Sequence, residues 1–234
     1  FRPEKYNPEP ETLFGFIDKF IEDSKNRINT HSGKKISEST LKKYNTCFNY
    51  LKEYAKEKKT VIDFKDVDLN FYNDFIKFLN QKEIIYKDKY TGEEVVKIGL
   101  AVNTIGKQIA VLKVFLNQAQ EDGLNNHKGY KSRGFSIITE DSEAVYLNED
   151  ELNTLFELDL SNNKRLERIR DLFLVGCWTG CRYGDFSSIN PGQITNGFLN
   201  VKQEKTGSRV VIPLHPVVKS ILGKYNGELP SSPS

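Results

Sequence analysis

Apolar side chains recur three and four residues apart in four stretches of the first half of the chain, within residues 13–21, 41–55, 71–79 and 105–119. Residues at this spacing share one face of an α-helix, so each stretch predicts an amphipathic helix. Helices with one apolar face bury it against one another. The first half is therefore predicted to fold as a small bundle of four helices.

Polar residues that suit helix N-caps stand before three of these stretches. Ser37 or Ser39 precedes the second helix, Asp68 or Asn70 precedes the third, and Asn103 precedes the fourth. Their side-chain oxygens can accept hydrogen bonds from the free N–H groups of a first helical turn. Each is therefore a predicted helix start.

The pattern changes between the third and fourth helices and again after the fourth. Residues 83–100 hold two β-prone runs around Thr91 and Gly92, which predict a hairpin or an extended loop. A polar stretch without apolar periodicity then follows and predicts a domain linker. The predicted organisation is an N-terminal lead at 1–10, a helical domain at 11–125, a linker at 126–145 and a second domain at 146–234.

The second domain mixes helical and strand patterns. Asn148 and Asn163 precede predicted helices, and the continuous apolar run 172–178 has the composition of a buried element. This run ends at a glycine turn. Two alternating runs, 199–203 and 210–214, then flank a short polar turn and predict a β-hairpin.

Composition narrows the class of protein. Hydrophobic residues make up 38% of the chain and charged residues 28%, and no apolar run is long enough to cross a membrane. The net charge is +2, so charge alone does not indicate a nucleic-acid partner. Three cysteines and three histidines predict neither a zinc site nor a disulfide scaffold, and favour a reducing compartment. Cys177 and Cys181 are predicted to be small buried thiols.

Two cations stand at predicted turns of the second domain. Arg182 follows the turn at Gly180 and precedes Asp185, and a helix starting there would place its guanidinium beside free N–H groups that suit a phosphate oxygen. Lys205 lies at the tip of the predicted hairpin. Each also has a structural interpretation, as an arginine that stabilises a turn and as a solvated lysine.

Taken in order, these residues resemble the tyrosine recombinases of the phage-integrase family, particularly the integrases of mobile elements. In that family the first catalytic arginine lies in a T-G-x-R-x-x-[DE] turn, matched here by Thr179 to Asp185. The catalytic lysine lies on a β-hairpin, often as K-T-G before I-P-L, matched by Lys205 to Gly207 and Ile212 to Leu214. The resemblance covers residues 11–225.

The resemblance implies a mainly α fold, with a four-helix core-binding (SAM-like) domain and the first part of a mixed α+β catalytic domain containing a small β-hairpin or sheet. It implies site-specific recombination and integration of a mobile genetic element through a 3′-phosphotyrosyl intermediate. Arg182 would hold the phosphate, Lys205 would protonate the leaving 5′ oxygen, and Asp185 would orient Arg182. No metal or other cofactor is implied.

The family's second and fourth helices enter the major groove, so double-stranded DNA is the implied partner. The matching positions carry hydroxyl, amide and lysine groups that suit phosphate contacts: Ser39, Thr40, Lys42, Lys43, Asn103, Thr104 and Lys107. The resemblance also implies a homo-tetramer in the recombination synapse, no membrane partner and a location in the bacterial cytoplasm.

The chain departs from the family pattern in its last part. His215 has no arginine three residues on, and neither Tyr183 nor Tyr225 occupies the position of the family's nucleophile. We therefore expect a C-terminally truncated recombinase that is inactive alone. A non-catalytic DNA-binding or regulatory protein on the same scaffold is the main alternative, and a type IB topoisomerase is a weaker one.

Overall fold

Residues 12–28 and 33–230 are described by a computed structural model, in which the chain divides into two units, residues 1–142 and 143–234. The predicted N-terminal lead at 1–10 lies outside the described residues. Helices predominate and the strands form two small antiparallel sheets. The predicted fold class, a helical domain followed by a mixed α+β part, is confirmed.

The first unit contains the four predicted helices. They are α1 (Leu13–Ser24), α2 (Glu38–Lys58), α3 (Leu69–Gln81) and α4 (Val102–Glu121). Two strands, β1 (Glu83–Lys87) and β2 (Glu94–Ile98), pair antiparallel between α3 and α4. The predicted hairpin is therefore confirmed.

Two of the three predicted caps are also confirmed. The Ser37 hydroxyl accepts a hydrogen bond from the Thr40 N–H at 3.3 Å, and the Asp68 carboxylate accepts one from the Phe71 N–H at 3.0 Å. The third prediction is wrong, because α4 begins one residue before Asn103 and has no side-chain cap. The Asn103 amide instead donates to and accepts from the backbone of Glu140, at 2.8 and 2.9 Å.

The first unit has a core rich in aromatic rings. The Tyr54 ring makes edge-to-face contacts with Phe71, Phe75 and Phe78 at centroid distances of 5.4, 5.5 and 5.5 Å. Each edge-to-face pair adds about 1 kcal/mol to the free energy gained by burying the rings. The apolar faces of the four helices therefore close on one another.

The segment assigned to a linker by its sequence packs on the first unit over most of its length. Tyr130 and Phe135 are both 1% exposed and belong to the first core. The Tyr130 hydroxyl lies 3.0 Å from the Asn117 side-chain oxygen, and the Tyr72 hydroxyl donates to the Ser136 carbonyl at 2.8 Å. Two buried rings in a polar stretch are enough to attach it, because each removes a large apolar surface from water.

The second unit alternates helices and short strands. Its elements are α5 (Glu149–Glu157), α6 (Lys164–Thr179), α7 (Tyr183–Phe186), β3 (Ile194–Thr195), β4 (Phe198–Lys202), β5 (Arg209–Pro213) and α8 (Pro216–Lys224). The three strands form an antiparallel sheet in the order β3-β4-β5. The predicted second hairpin is therefore confirmed, as are Asn148 and Asn163 as helix caps.

The apolar run 172–178 lies within helix α6 and is only partly buried. Leu174 and Val175 are fully buried, whereas Phe173 is 47% exposed and Cys177 is also exposed. A helix turns its side chains by about 100° per residue, so a continuous apolar run covers both the core face and the outer face. The prediction of a wholly buried element is wrong for the outer face.

None of the helices in the part of the chain that the structure describes is long and apolar enough to cross a membrane.

Candidate functional site

The turn that follows α6 depends on Gly180. This residue ends the helix with a φ of +63°, and its N–H donates to the Gly176 carbonyl at 3.0 Å. A side chain at Gly180 would meet nothing within 4 Å, so the left-handed backbone conformation, rather than crowding, favours glycine here. The turn at Gly180 thus ends α6 and separates it from α7, the next helix in the chain.

Arg182 occupies the N-cap position of α7, as the sequence predicts for a helix that starts there. Its backbone carbonyl accepts hydrogen bonds from the N–H groups of Asp185 and Phe186 at 2.8 and 3.0 Å. The guanidinium side chain is 52% exposed. Its backbone is thus held by α7 while its donor groups remain accessible to a ligand.

Asp185 joins Arg182 to the second hairpin. Its carboxylate is 2% exposed, with one oxygen 3.8 Å from Arg182 Nη1 and the other accepting a hydrogen bond from the Glu204 N–H at 2.8 Å. Glu204 directly precedes Lys205 in the chain. A single buried carboxylate therefore contacts the arginine turn and the backbone of the lysine turn.

Lys205 lies in an ordered turn between β4 and β5. The Gln203 N–H donates to the Ser208 carbonyl and the Gly207 N–H donates to the Gln203 carbonyl, both at 2.8 Å. Gly207 has a φ of +73°, a conformation that favours glycine. The Lys205 side chain is exposed at the tip, so this cation stands on a fixed backbone with its amine in solvent.

The three cysteines do not supply a nucleophile. Cys47 is buried, and burial raises its pKa to about 12. Cys181 is only half-buried and Cys177 is exposed, so the prediction of small buried thiols is wrong for both. Desolvation raises the pKa of Cys177 and Cys181 as well, which keeps these thiols protonated at neutral pH.

Tyr183 and Tyr225 of the second unit differ in their surroundings. Tyr183 is 53% exposed and packs edge-to-face on Phe186. Tyr225 donates a hydrogen bond to the buried Asp171 carboxylate at 2.9 Å. Desolvation and this hydrogen bond both raise the pKa of Tyr225, so its hydroxyl is held in a structural contact.

The start of α2 presents the first predicted group of DNA contacts. The Ser39 and Thr40 hydroxyls each lie 3.0 Å from the Ser37 hydroxyl, so the cap fixes both. Lys42 and Lys43 are exposed one turn further on, and neither forms an ion pair with another residue among 12–28 and 33–230. These hydroxyl and ammonium groups therefore lie together at the N-terminal end of one helix.

The start of α4 presents the second group, with one exception. Lys107 is exposed and Thr104 is half-buried. Both polar atoms of the Asn103 side chain are used by the backbone of Glu140. Spacing along α4 could not reveal this use, because Glu140 lies 37 residues further along the chain.

No group of three or more His, Cys, Asp or Glu side chains in the described part of the chain is arranged to hold a metal ion. The side chains described above carry cationic, hydroxyl and carboxylate groups. The sequence alone pointed to Arg182, Asp185 and Lys205 by motif. It gave no sign of the bond between Asp185 and Glu204, which are 19 residues apart.

Comparisons with known proteins agree with this fold. The model of the phage integrase SAM-like domain matches residues 12–137. A lambda integrase solved as a tetramer on a Holliday junction is similar over 94% of this chain, with a TM-score of 0.64 and 17% sequence identity. The Tn1549 transposon integrase is similar over 95%, with a TM-score of 0.61 and 12% identity.

The recombinase XerH is also similar, over 92% of this chain and 68% of its own length, with a TM-score of 0.51 and 15% identity. This chain spans 62% of the lambda integrase chain and 67% of the Tn1549 integrase chain. A search of curated proteins gave no match. Because the family model matches more than half of the residues, this chain belongs to the phage integrase SAM-like domain family.

Proposed function

We propose that this chain is the DNA-holding domain and the first catalytic part of a tyrosine-type site-specific recombinase that integrates a mobile element. The proteins with a similar fold support this proposal. The lambda integrase was solved on a Holliday junction, the Tn1549 integrase with circular intermediate DNA, and XerH on its difH substrate before cleavage. Double-stranded DNA is accordingly the proposed partner, and a tetramer is the proposed form on a recombining junction.

The contact of Asp185 with both catalytic turns is the observation that carries the proposal. Cleavage of a phosphodiester requires positive charge on the non-bridging oxygens and a proton for the leaving oxygen. Arg182 can supply the positive charge and Lys205 the proton only if the backbones of these two residues keep a fixed separation. The hydrogen bond from the Glu204 N–H to Asp185, beside the Arg182 guanidinium, provides that constraint.

The proposed reaction is a transesterification. A tyrosine hydroxyl loses its proton to solvent and attacks the phosphorus, the bond from phosphorus to the 5′ oxygen breaks, and a 3′-phosphotyrosyl bond forms. Lys205 gives its proton to the departing 5′ oxygen, and Arg182 binds the non-bridging oxygens. The attacking tyrosine belongs to the complete recombinase, since Tyr183 and Tyr225 do not match the family's nucleophile.

The DNA is held by α2 and α4 of the first unit in this proposal. Thr40, Lys42, Lys43 and Lys107 contact phosphates, with Ser39 and Thr104 as further hydroxyl donors. Asn103 remains a candidate from the resemblance, but its amide would first have to leave Glu140. Phosphate contacts position the duplex without reading its sequence.

The test is Arg182→Ala in the complete recombinase, with Arg168→Ala as the matched control. Arg182→Ala is expected to slow strand cleavage by about 10²–10³-fold, as for loss of a transition-state donor, and to leave binding of the core-site duplex nearly unchanged. Arg168 is another exposed arginine of the second unit, so its removal should affect neither. Cleavage at the normal rate by the Arg182→Ala variant would overturn the proposal.

Lys205 is tested through the leaving group. Lys205→Ala should slow cleavage of a normal phosphodiester, and a substrate with a bridging 5′ sulfur should restore much of the rate, because a thiolate leaves without a proton. If the sulfur substrate restores nothing, Lys205 is not the acid. A complete protein that binds duplex DNA but never cleaves it would indicate the regulatory alternative.

The chain alone is expected to bind DNA without forming a covalent adduct on a nicked suicide substrate. It supplies Arg182 and Lys205 but neither a second family arginine nor the family's tyrosine. A shifted band on a denaturing gel that maps to Tyr183 or Tyr225 would contradict this assignment.

A further inference from the structure

One face of the hairpin formed by β1 and β2 is left exposed by the part of the chain that the structure describes. Along this face Glu83 lies opposite Ile98, Ile85 opposite Val96, and Lys87 opposite Glu94. Ile85, Val96 and Ile98 are 58, 52 and 66% exposed. A two-stranded hairpin is only marginally stable by itself. Leaving an apolar strip of this hairpin in contact with water costs further free energy.

The outer edge of β1 is also unpaired, since within the described residues this sheet contains β1 and β2 alone. The Asp88 N–H donates to the Glu93 carbonyl and the Gly99 N–H donates to the Lys82 carbonyl, both at 2.8 Å. Hydrogen bonding to one neighbour alternates along an antiparallel strand. The N–H and C=O groups of Glu83, Ile85 and Lys87 therefore point to the free edge.

The sequence of β1 is complementary to itself in an antiparallel pair. If a second β1 lies beside the first with Ile85 opposite Ile85, then Glu83 of each chain lies opposite Lys87 of the other. Ile84 lies opposite Tyr86 on the other face. The residues with outward backbone groups are the same three that lie opposite one another, so hydrogen bonding and charge agree on one register.

We propose that the free edge of β1 binds the same edge of a second copy of this chain, which gives a four-stranded sheet in the order β2-β1-β1-β2. Glu83, Ile85 and Lys87 each exchange their backbone hydrogen bonds with the other chain across a two-fold axis. The two Ile85 side chains meet on that axis. The apolar strip then runs continuously from Val96 of one copy to Val96 of the other.

Charged residues on an edge strand usually discourage pairing with other strands. If the charges of β1 served only to discourage pairing, they would need to be present on the edge, but their order would not matter. Here the opposite charges stand at equal distances on either side of Ile85, so two identical edges attract rather than repel. The order of the charges therefore favours a second copy as the occupant.

Sedimentation equilibrium of the whole chain, over concentrations up to the high micromolar range, tests the proposal. The wild type is expected to form dimers. Ile85→Pro removes an N–H that points to the free edge and leaves the bonds to β2 in place, so it should yield monomers. Lys97→Ala changes an exposed side chain on the other face of β2 and should leave the dimer unchanged.

A charge exchange tests the register. Glu83→Lys places lysines opposite each other twice, which should weaken the dimer about tenfold. A second variant, Lys87→Glu with Glu94→Lys, places glutamates opposite each other and preserves the charge pair within its own hairpin. Each variant alone should dimerise about tenfold more weakly than the wild type, whereas an equimolar mixture should recover dimers of near wild-type affinity.

Three results would overturn the proposal. The first is a wild type that remains monomeric at every concentration. The second is a dimer that tolerates Ile85→Pro, which would place the interface elsewhere. The third is a monomer whose affinity for duplex DNA changes with Glu83→Lys, which would assign the hairpin to DNA.

Discussion

The two units bury their apolar side chains in different ways. In the first unit the aromatic rings of α1, α2, α3 and α4 interlock, and Phe75 of α3 is fully buried. In the second unit the buried core is mainly aliphatic, and Phe186 is its one aromatic member among the described residues. The first core therefore depends on close packing of large rings, and the second does so much less.

The second unit depends more on ionic contacts. Asp171 is 1% exposed, and its carboxylate accepts hydrogen bonds from Arg170 at 2.8 Å, Lys224 at 2.7 Å and Tyr225 at 2.9 Å. The contacts of Lys224 and Tyr225 join α6 to the end of α8. On its outer face α6 leaves Phe173 nearly half exposed. In the second unit, contacts to a buried charge therefore connect the helices. In the first unit, contacts between aromatic rings connect them.

The candidate functional residues follow the same division. Lys42, Lys43 and Lys107 of the first unit are exposed side chains of α2 and α4. Arg182 of the second unit is close to Asp185, which is buried and bonded to the next hairpin. We infer that stability and DNA binding can be changed separately in the first unit, whereas structure and chemistry are coupled in the second.

The largest expected effect is that of Phe75→Ala. Removing a fully buried ring from the first core should lower the free energy of unfolding by about 3–5 kcal/mol. Chemical denaturation followed by far-UV circular dichroism should show this loss in the part of the signal that comes from the first unit. Tyr90→Ala is the matched control, because Tyr90 is 94% exposed.

The single tryptophan makes this test specific. Trp178 lies in the second unit and stacks on His215 with a centroid distance of 3.6 Å. Its fluorescence therefore reports unfolding of the second unit, and Phe75→Ala should leave that transition in place. If fluorescence and circular dichroism shift together, the two units unfold as one and the contrast between them is lost.

The next largest effect is that of Asp171→Asn in the second unit. The amide cannot balance the charges of Arg170 and Lys224, so the free energy of unfolding should fall by about 3 kcal/mol. The transition followed by Trp178 fluorescence should move to lower denaturant. Glu157→Gln, at an exposed position in the same unit, is the control. A shift of similar size in both variants would show that the buried network contributes nothing specific.

A smaller effect is expected from pH. Hydrogen bonds from Lys224 and Lys164 lower the pKa of Glu167 from 4.5 to about 2. A carboxylate with a lowered pKa stabilises the fold above its unfolded pKa and loses that contribution as pH falls through its folded pKa. The second unit should therefore lose stability between about pH 4.5 and pH 2.

Glu167→Gln isolates this contribution. The variant should be less stable than the wild type at pH 7, and the difference should shrink as pH approaches 2. The pKa of Lys224 is affected in the opposite direction. Desolvation alone would lower it, but hydrogen bonds to Asp171 and Glu167 outweigh this and raise it to about 12. That contribution is present below the ordinary lysine pKa and is lost only as pH rises through 12, outside the acid range of the experiment.

The sequence predicted the local features of both units. Helical periodicity located the four helices of the first unit, and alternation located both hairpins, because each signal lies within a short stretch of chain. The caps at Ser37, Asp68 and Asn148 followed from side-chain chemistry next to each helix. Arg182 and Lys205 followed from motifs that are likewise local.

Contacts between distant residues were not predictable in this way. Asn103 has the composition of a cap, yet its amide binds Glu140, and no pattern near either residue indicates that pairing. Phe173 has the composition of a core residue, but its position on the outer face of α6 depends on where the other elements pack. Tyr130 and Phe135 stand in a polar stretch, and their burial likewise depends on the tertiary fold.

The smallest expected effect concerns the lysines of the first unit. Lys42→Ala and Lys107→Ala should each reduce the slope of log affinity against log salt by about 1, because each removes one phosphate contact and its counterion release. Stability should not change, since both side chains are exposed. Lys77→Ala on α3, also exposed, should alter neither quantity. Fluorescence anisotropy with a labelled duplex over a salt series measures the slopes. Equal slopes for the wild type and both α2 and α4 variants would mean that these faces do not touch DNA, and the separation of binding from stability in the first unit would fail.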